Sequence, residues 1–153
     1  MARLLKETSR RVIIISGLVI IAALYVFGLF KGEEPAVKIE GFEAVPSSIH
    51  SDQTGSLKLR LTNTVDRQQS VKIRFDTSPN VELRSESKQL PKQGNIYTYD
   101  LELKAKQKSE YHFDVKAKLD MGEKETIYTI IVHVILEDGK TLTSKADLSV
   151  KRR

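Results

Sequence analysis

The sequence has no cysteine and no tryptophan, and only four prolines, eight glycines and three histidines among 153 residues. Without cysteine there is no disulfide framework, no thiolate metal site and no lipid attachment through sulfur, so any folded part rests on packing and hydrogen bonds. The spacings of a zincin helix, an EF-hand loop and a glycine-rich phosphate loop are all missing. His50, His112 and His133 lie far apart in the chain and form no local metal-binding motif. No acceptor sequon exists, because Asn63, Asn80 and Asn95 are followed two positions later by Val65, Glu82 and Tyr97.

Excess charge is also scarce once its position is considered. The chain holds 25 basic and 20 acidic residues, a formal +5. Residues 1–31 supply five of the basic and one of the acidic residues, and Lys151, Arg152 and Arg153 add three more basic ones. Between these ends the two signs nearly balance, so the overall basicity gives no case for nucleic-acid binding.

Long hydrophobic runs are absent with one exception. Residues 12–30 contain no charged side chain and stand between Arg10-Arg11 and Lys31. As a helix, nineteen residues rise about 28 Å, close to the hydrocarbon thickness of a bilayer. Arg3, Lys6, Arg10 and Arg11 precede the run with only Glu7 against them, whereas Glu33 and Glu34 follow Lys31. That asymmetry predicts a cytoplasmic N-terminus and an extracytoplasmic remainder. A cleaved signal peptide is the competing reading. The apolar core is long for one, it ends in Tyr25, Phe27, Leu29 and Phe30, and no Ala-x-Ala type site follows, so an uncleaved signal anchor in the lipid bilayer is expected.

Beyond the exit at 31–36, the pattern changes to period two. Val37, Ile39 and Gly41 alternate with Lys38 and Glu40; Leu57, Leu59 and Leu61 with Lys58 and Arg60; Val71, Ile73 and Phe75 with Lys72 and Arg74. Tyr97, Tyr99, Leu101 and Leu103 define another face, and Tyr111, Phe113, Val115, Ala117 and Leu119 the longest clean series. Such alternation marks strands with one buried face. Val81 and Leu83 read as an edge piece, and residues 85–95, polar and holding Pro91 and Gly94, as a loop. From Thr126 to Leu136 both faces are apolar, with Ile127, Ile131 and Ile135 on one and Tyr128, Ile130, Val132, Val134 and Leu136 on the other. This predicts a central strand covered on both sides. Asp138-Gly139 is a hairpin signal, after which Leu142, Ser144, Ala146, Leu148 and Val150 face inward.

Seven or eight strands with no later helical pattern predict an all-β, immunoglobulin-like antiparallel sandwich behind a single transmembrane helix. The expected organisation is a basic cytoplasmic lead at 1–11, the signal-anchor helix at 12–30, a linker at 31–36, an extracytoplasmic sandwich at 37–150 and a basic tail at 151–153.

Residues 55–64, reading Gly-Ser-Leu-Lys-Leu-Arg-Leu-Thr-Asn-Thr, the alternation at 71–75, residues 111–117 and the Asp138-Gly139 hairpin resemble the adhesion-related, immunoglobulin-like domains of prokaryotic, especially archaeal, cell surfaces. One N-terminal span before one sandwich is also similar to the layout of archaellum stator proteins, which hold motility machinery between membrane and surface layer. The resemblance implies an outward-facing contact or assembly module, with protein partners in the envelope. An accessory subunit bound to a polytopic membrane enzyme is the alternative, and a glycan- or metal-binding surface domain another.

Candidate chemistry is sparse. His112 falls on a polar strand face, and His133 shares the Ile127, Ile131, Ile135 set, where a buried, hydrogen-bonded ring is expected. Asp114 with Asp120 does not form a glycosidase pair by spacing, and Ser47, Ser48 and Ser144 lack a paired base. Gly55, Gly94, Gly122 and Gly139 read as turn glycines. No catalytic, cofactor-binding or metal-ligating residue is therefore expected, and no enzymatic activity. The contact candidates are Tyr97 and Tyr99 with Tyr111 and Phe113, the lysines at 104, 106 and 108, and above all the stretch 85–95.

Overall fold

A computed structural model describes residues 34–86 and 88–153; the predicted lead and span at 1–11 and 12–30 lie outside them. Among the described residues no helix is long and apolar enough to cross a membrane. Pro35–Arg153 is one compact unit. It is all-β, two sheets packed face to face, as the alternating patterns predict.

The strands are β1 Val37–Val45, β2 Ser48–His50, β3 Thr54–Asn63, β4 Gln69–Asp76, β5 Val81–Ser85, β6 Lys88–Gln89, β7 Lys92–Gln93, β8 Ile96–Leu103, β9 Lys108–Ala117, β10 Glu125–Leu136 and β11 Thr141–Lys151. One sheet has the order β1-β3-β9-β5-β6 and the other β2-β11-β10-β4-β8-β7. All pairings are antiparallel except β2 with β11. Leucines 57, 59 and 61, Val71, Ile73 and Phe75, and the even-numbered residues of β10 meet in the space between the sheets. Phe42, Phe75, Phe113 and Tyr99 form a chain of ring contacts drawn alternately from the two sheets.

Several expectations are corrected. The alternation of β1 breaks between Ile39 and Gly41, where a β-bulge shifts the register, and Phe42 rather than Gly41 turns inward. The strand then continues to Val45, and across the cis Val45–Pro46 bond the chain changes sheets to enter β2. Gly55 is not a turn glycine. It lies within β3, where a Cβ would stand 3.5 Å from Val115 Cγ1 in ordinary contact and 3.2 Å from Ile49 Cγ2, a tight approach that the Ile49 methyl would have to yield to. Gly94, Gly122 and Gly139 do adopt positive φ, as turns require.

The stretch 85–95 is not a free loop. β6 pairs with β5 in one sheet and β7 with β8 in the other, and between them Leu90 is buried and its N–H donates to Leu83 O. A strap of two-residue strands leaves no alternation to read, which is why polarity and Pro91 alone pointed to a loop. The Asp138-Gly139 turn forms as predicted, with Asp138 Oδ1 accepting from the Lys140 N–H at 2.9 Å.

Candidate functional site

The two outer faces differ. On the five-stranded sheet, β1, β3, β9 and β5 expose charged side chains that pair across and along strands: Arg60 with Glu43 at 3.4 Å, Lys58 with Glu110 at 4.0 Å, His112 with Glu110 at 2.8 Å and Arg84 with Glu82 at 2.8 Å. Exposed pairs of this kind contribute little each and keep a face solvated.

The outer face of the six-stranded sheet is mixed. Its register sets Lys145, Ile131, Asp76 and Ile96 in one row, Thr143, His133, Arg74 and Thr98 in the next, and Thr141, Ile135, Lys72 and Asp100 in the third. Ile127 continues the β10 column and is 64% exposed. The predicted second cover over β10 is thus absent among the described residues: the face with Ile127, Ile131 and Ile135 looks outward. Below the third row a shallow groove of about 580 Å³ opens, lined in part by Lys72, Asp100, Glu102, Ile135 and Glu137.

A polar chain crosses the middle of this face. Arg74 donates from Nε and Nη2 to the two oxygens of Asp76 at 2.8 and 2.9 Å. His133 Nε2 lies 3.2 Å from Asp76 Oδ2 and its Nδ1 3.0 Å from Thr143 Oγ1. A carboxylate only accepts, so Nε2 carries a proton toward Asp76. The order of groups, carboxylate, imidazole and hydroxyl, is that of a hydrolytic triad, here with Arg74 on the carboxylate as well. What it does is clamp β4, β10 and β11 together across the face. His133 is hydrogen-bonded as expected, but half-buried on the outer surface rather than inside.

The Arg74 hydrogen bonds hold the Asp76 carboxyl below the usual carboxylate range, against partial burial, with further help from the Arg74 charge and His133. A depressed native pKa gives stability that is present above the unfolded value of about 4 and is lost as pH falls through the native one. Asp76→Asn should therefore flatten the stability profile below about pH 4. Urea titrations at stepped pH read this directly; an unchanged acid limb would mean that the pair contributes nothing.

The other predicted positions are dispersed. His50 is at the end of β2, and His112 is on the solvated face of β9 as expected. Asp120 accepts from Asn80 Nδ2 at 2.9 Å in a loop contact. Ser47 lends its carbonyl to the Ser149 N–H, and Ser144 sits opposite Val132. Lys106 Nζ donates to Thr64 O at 2.7 Å, so it ties two loops together. Tyr97 and Phe113 are core residues, and Lys92 lies 5.1 Å from the Tyr97 ring centroid. Among the described residues no group of three or more His, Asp or Glu is disposed to hold a metal ion. The clamp itself was missed, although Arg74 and Asp76, two apart on one strand face, were its visible half.

No protein family and no curated protein matches the chain. Solved structures do. Native Escherichia coli alpha-2-macroglobulin is similar over 78% of this chain, with TM-score 0.54 and 18% identity, although this chain spans only 7% of that one. A FixG-related protein from Vibrio parahaemolyticus aligns with TM-score 0.51 at 10% identity, covering 78% of this chain and 99% of its own. The sporulation control protein of Bacillus subtilis aligns with TM-score 0.50 at 7% identity, over 78% of this chain and 51% of that one. At such identities the likeness is one of fold alone.

Proposed function

We propose that this chain is a membrane-anchored scaffold or assembly protein of the cell envelope, whose immunoglobulin-like sandwich presents the outer face of its six-stranded sheet to a protein partner. The anchor is the uncharged run at 12–30 behind its basic lead, with the C-terminal domain outside the cytoplasm. The observation that carries the reading is the contrast between the two outer faces: both carry ion pairs, but the six-stranded sheet adds Ile96, Ile127, Ile131 and Ile135 around its polar clamp. Apolar side chains around a few pinned hydrogen-bonding groups are the composition of a protein contact patch. The resemblance to archaeal surface and motility-associated domains agrees with this role.

In native membranes, the full chain should resist alkaline carbonate extraction. A photo-crosslinking residue at Ile131 should capture a specific envelope protein, and one at Lys58, on the solvated face, should not. Release by carbonate would remove the anchor from the proposal. Equal capture at both positions, or none at Ile131, would remove the contact face. Capture of a polytopic enzyme would make the chain an accessory subunit instead.

A further inference from the structure

The strap between β5 and β8 is pinned from both sides. Leu90 is buried at its centre and its N–H donates to Leu83 O, while the Pro91 carbonyl accepts from the Thr98 N–H at 3.0 Å. Tyr97, opposite Lys92 in the β7–β8 pair, donates its hydroxyl across the seam between the sheets to Val81 O at 3.0 Å. The strap, the start of β5 and the end of β9 border a recess of about 400 Å³ at this seam, lined in part by Asn80, Glu82, Gln89, Lys92, Lys116 and Lys118.

Its charge is one-sided. Lys92 and Lys118 pair with no carboxylate among the described residues; Lys92 Nζ lies 5.1 Å from the Tyr97 ring centroid instead. Lys116 stands 3.7 Å from Asp52, a loose pair in which both side chains are exposed. The one acid in the lining, Glu82, is directly opposite Lys116 in the register, yet its Oε1 accepts from Nε and Nη2 of Arg84 at 3.0 and 2.8 Å. Asn80 donates from Nδ2 to Asp120 Oδ1 and accepts the Lys118 N–H at its carbonyl, which fixes the backbone that carries Lys118. Three ammonium groups face a single carboxylate that already holds a guanidinium. A concave site with that balance concentrates a positive field.

We infer that this recess binds a phosphate group, as the free ion or as the ester of a sugar or a lipid. The kind of cation decides between anions. A carboxylate is matched best by the planar fork of a free guanidinium, and Arg84 spends Nε and Nη2 on Glu82. Lysines act as point charges, suited to a tetrahedral oxyanion approached from several sides, and a phosphate ester brings a charge of about −1.5 to −2 for them to meet. The amide of Gln89, on the strap, adds a neutral donor to the same wall.

Residue-resolved acetylation of the full chain in detergent, at constant ionic strength, tests the site. Inorganic phosphate or glucose 1-phosphate should slow the acetylation of Lys92 and Lys118 by about threefold or more, with Lys58 and Lys104 unaffected. Glucuronate, a carboxylate of similar size, should protect neither. Lys118→Gln should lose the protection of Lys92, and Lys92→Gln that of Lys118, both with unchanged circular dichroism. Mixed micelles carrying phosphatidate distinguish the sources: stronger protection there than with glucose 1-phosphate supports the site as one for a lipid headgroup, and the reverse supports it as one for a sugar ester or the free ion. Equal slowing of all four lysines, equal protection by glucuronate, or no protection by any phosphate would each overturn the inference. Its failure would leave the contact face untouched, since Ile131 is not part of the recess.

Discussion

Asn63→Ala should destabilise the full chain by about 3 kcal/mol, lowering its melting temperature by about 10 °C. Asn63 is 1% exposed at the end of β3. Its Nδ2 donates to Arg67 O at 2.7 Å, Lys104 O at 3.0 Å and Leu103 O at 3.2 Å, and its Oδ1 accepts from the Val65 N–H at 3.1 Å. One side chain thus shapes the β3–β4 connection and ties it to the β8–β9 connection, joining the two sheets at one end of the sandwich. Truncation removes the donor from one buried and two part-buried carbonyls, and a buried group left unpaired costs roughly 1–3 kcal/mol. Asn63→Asp is the sharper test. It is nearly isosteric and keeps the acceptor, but it presents a carboxylate to three carbonyl oxygens and should be at least as damaging as alanine. Urea unfolding of the three proteins decides it. A loss below about 0.5 kcal/mol for alanine would show that water takes over the role of the side chain.

That Asn63 folds back on the chain after the second long strand follows a local rule, because an asparagine side chain competes for backbone partners over two to four residues. That Asn63 also reaches Leu103 and Lys104, forty residues away, does not, since local chemistry carries no register. The same division runs through the fold. The eight long strands were visible because they are long enough for an apolar period of two to show, even where the bulge of β1 interrupts it. The three short ones were invisible because two or three residues have no period. The double-sided pattern at Ile127, Ile131 and Ile135 predicts a second cover from loops, the membrane-proximal segment or a partner, and among the described residues no element supplies it. Beside the isoleucines on that face lies the clamp of Arg74, Asp76, His133 and Thr143, assembled from three strands whose relative register only the folded sheet defines.

The larger effect is expected at the centre of the core, where Phe75→Ala should cost about 4 kcal/mol. Phe75 is fully buried on β4, with its ring 4.9 Å from Phe113 at 68° and 6.0 Å from Phe42 at 35°; Phe113 in turn meets Tyr99 at 5.4 Å and 82°. Phe42 and Phe113 come from the five-stranded sheet, Phe75 and Tyr99 from the other, so removal of the Phe75 ring opens a void at the seam where each sheet holds the other. The edge-to-face contact adds about 1 kcal/mol to the burial of the ring. Phe42→Ala, at the end of the chain of rings and with a single ring partner, should cost clearly less. Small domains unfold with a total of about 5–15 kcal/mol, so Phe75→Ala should leave a protein close to its folding threshold, detectable as a steep fall in soluble or membrane-inserted yield as well as in the urea midpoint. The denaturant slope should stay constant, because the surface exposed on unfolding is nearly the same. Equal losses for Phe42→Ala and Phe75→Ala would refute the ranking and place the mechanical centre of the sandwich elsewhere, and a loss below about 1.5 kcal/mol for Phe75→Ala would mean that the two sheets collapse freely onto the vacated space.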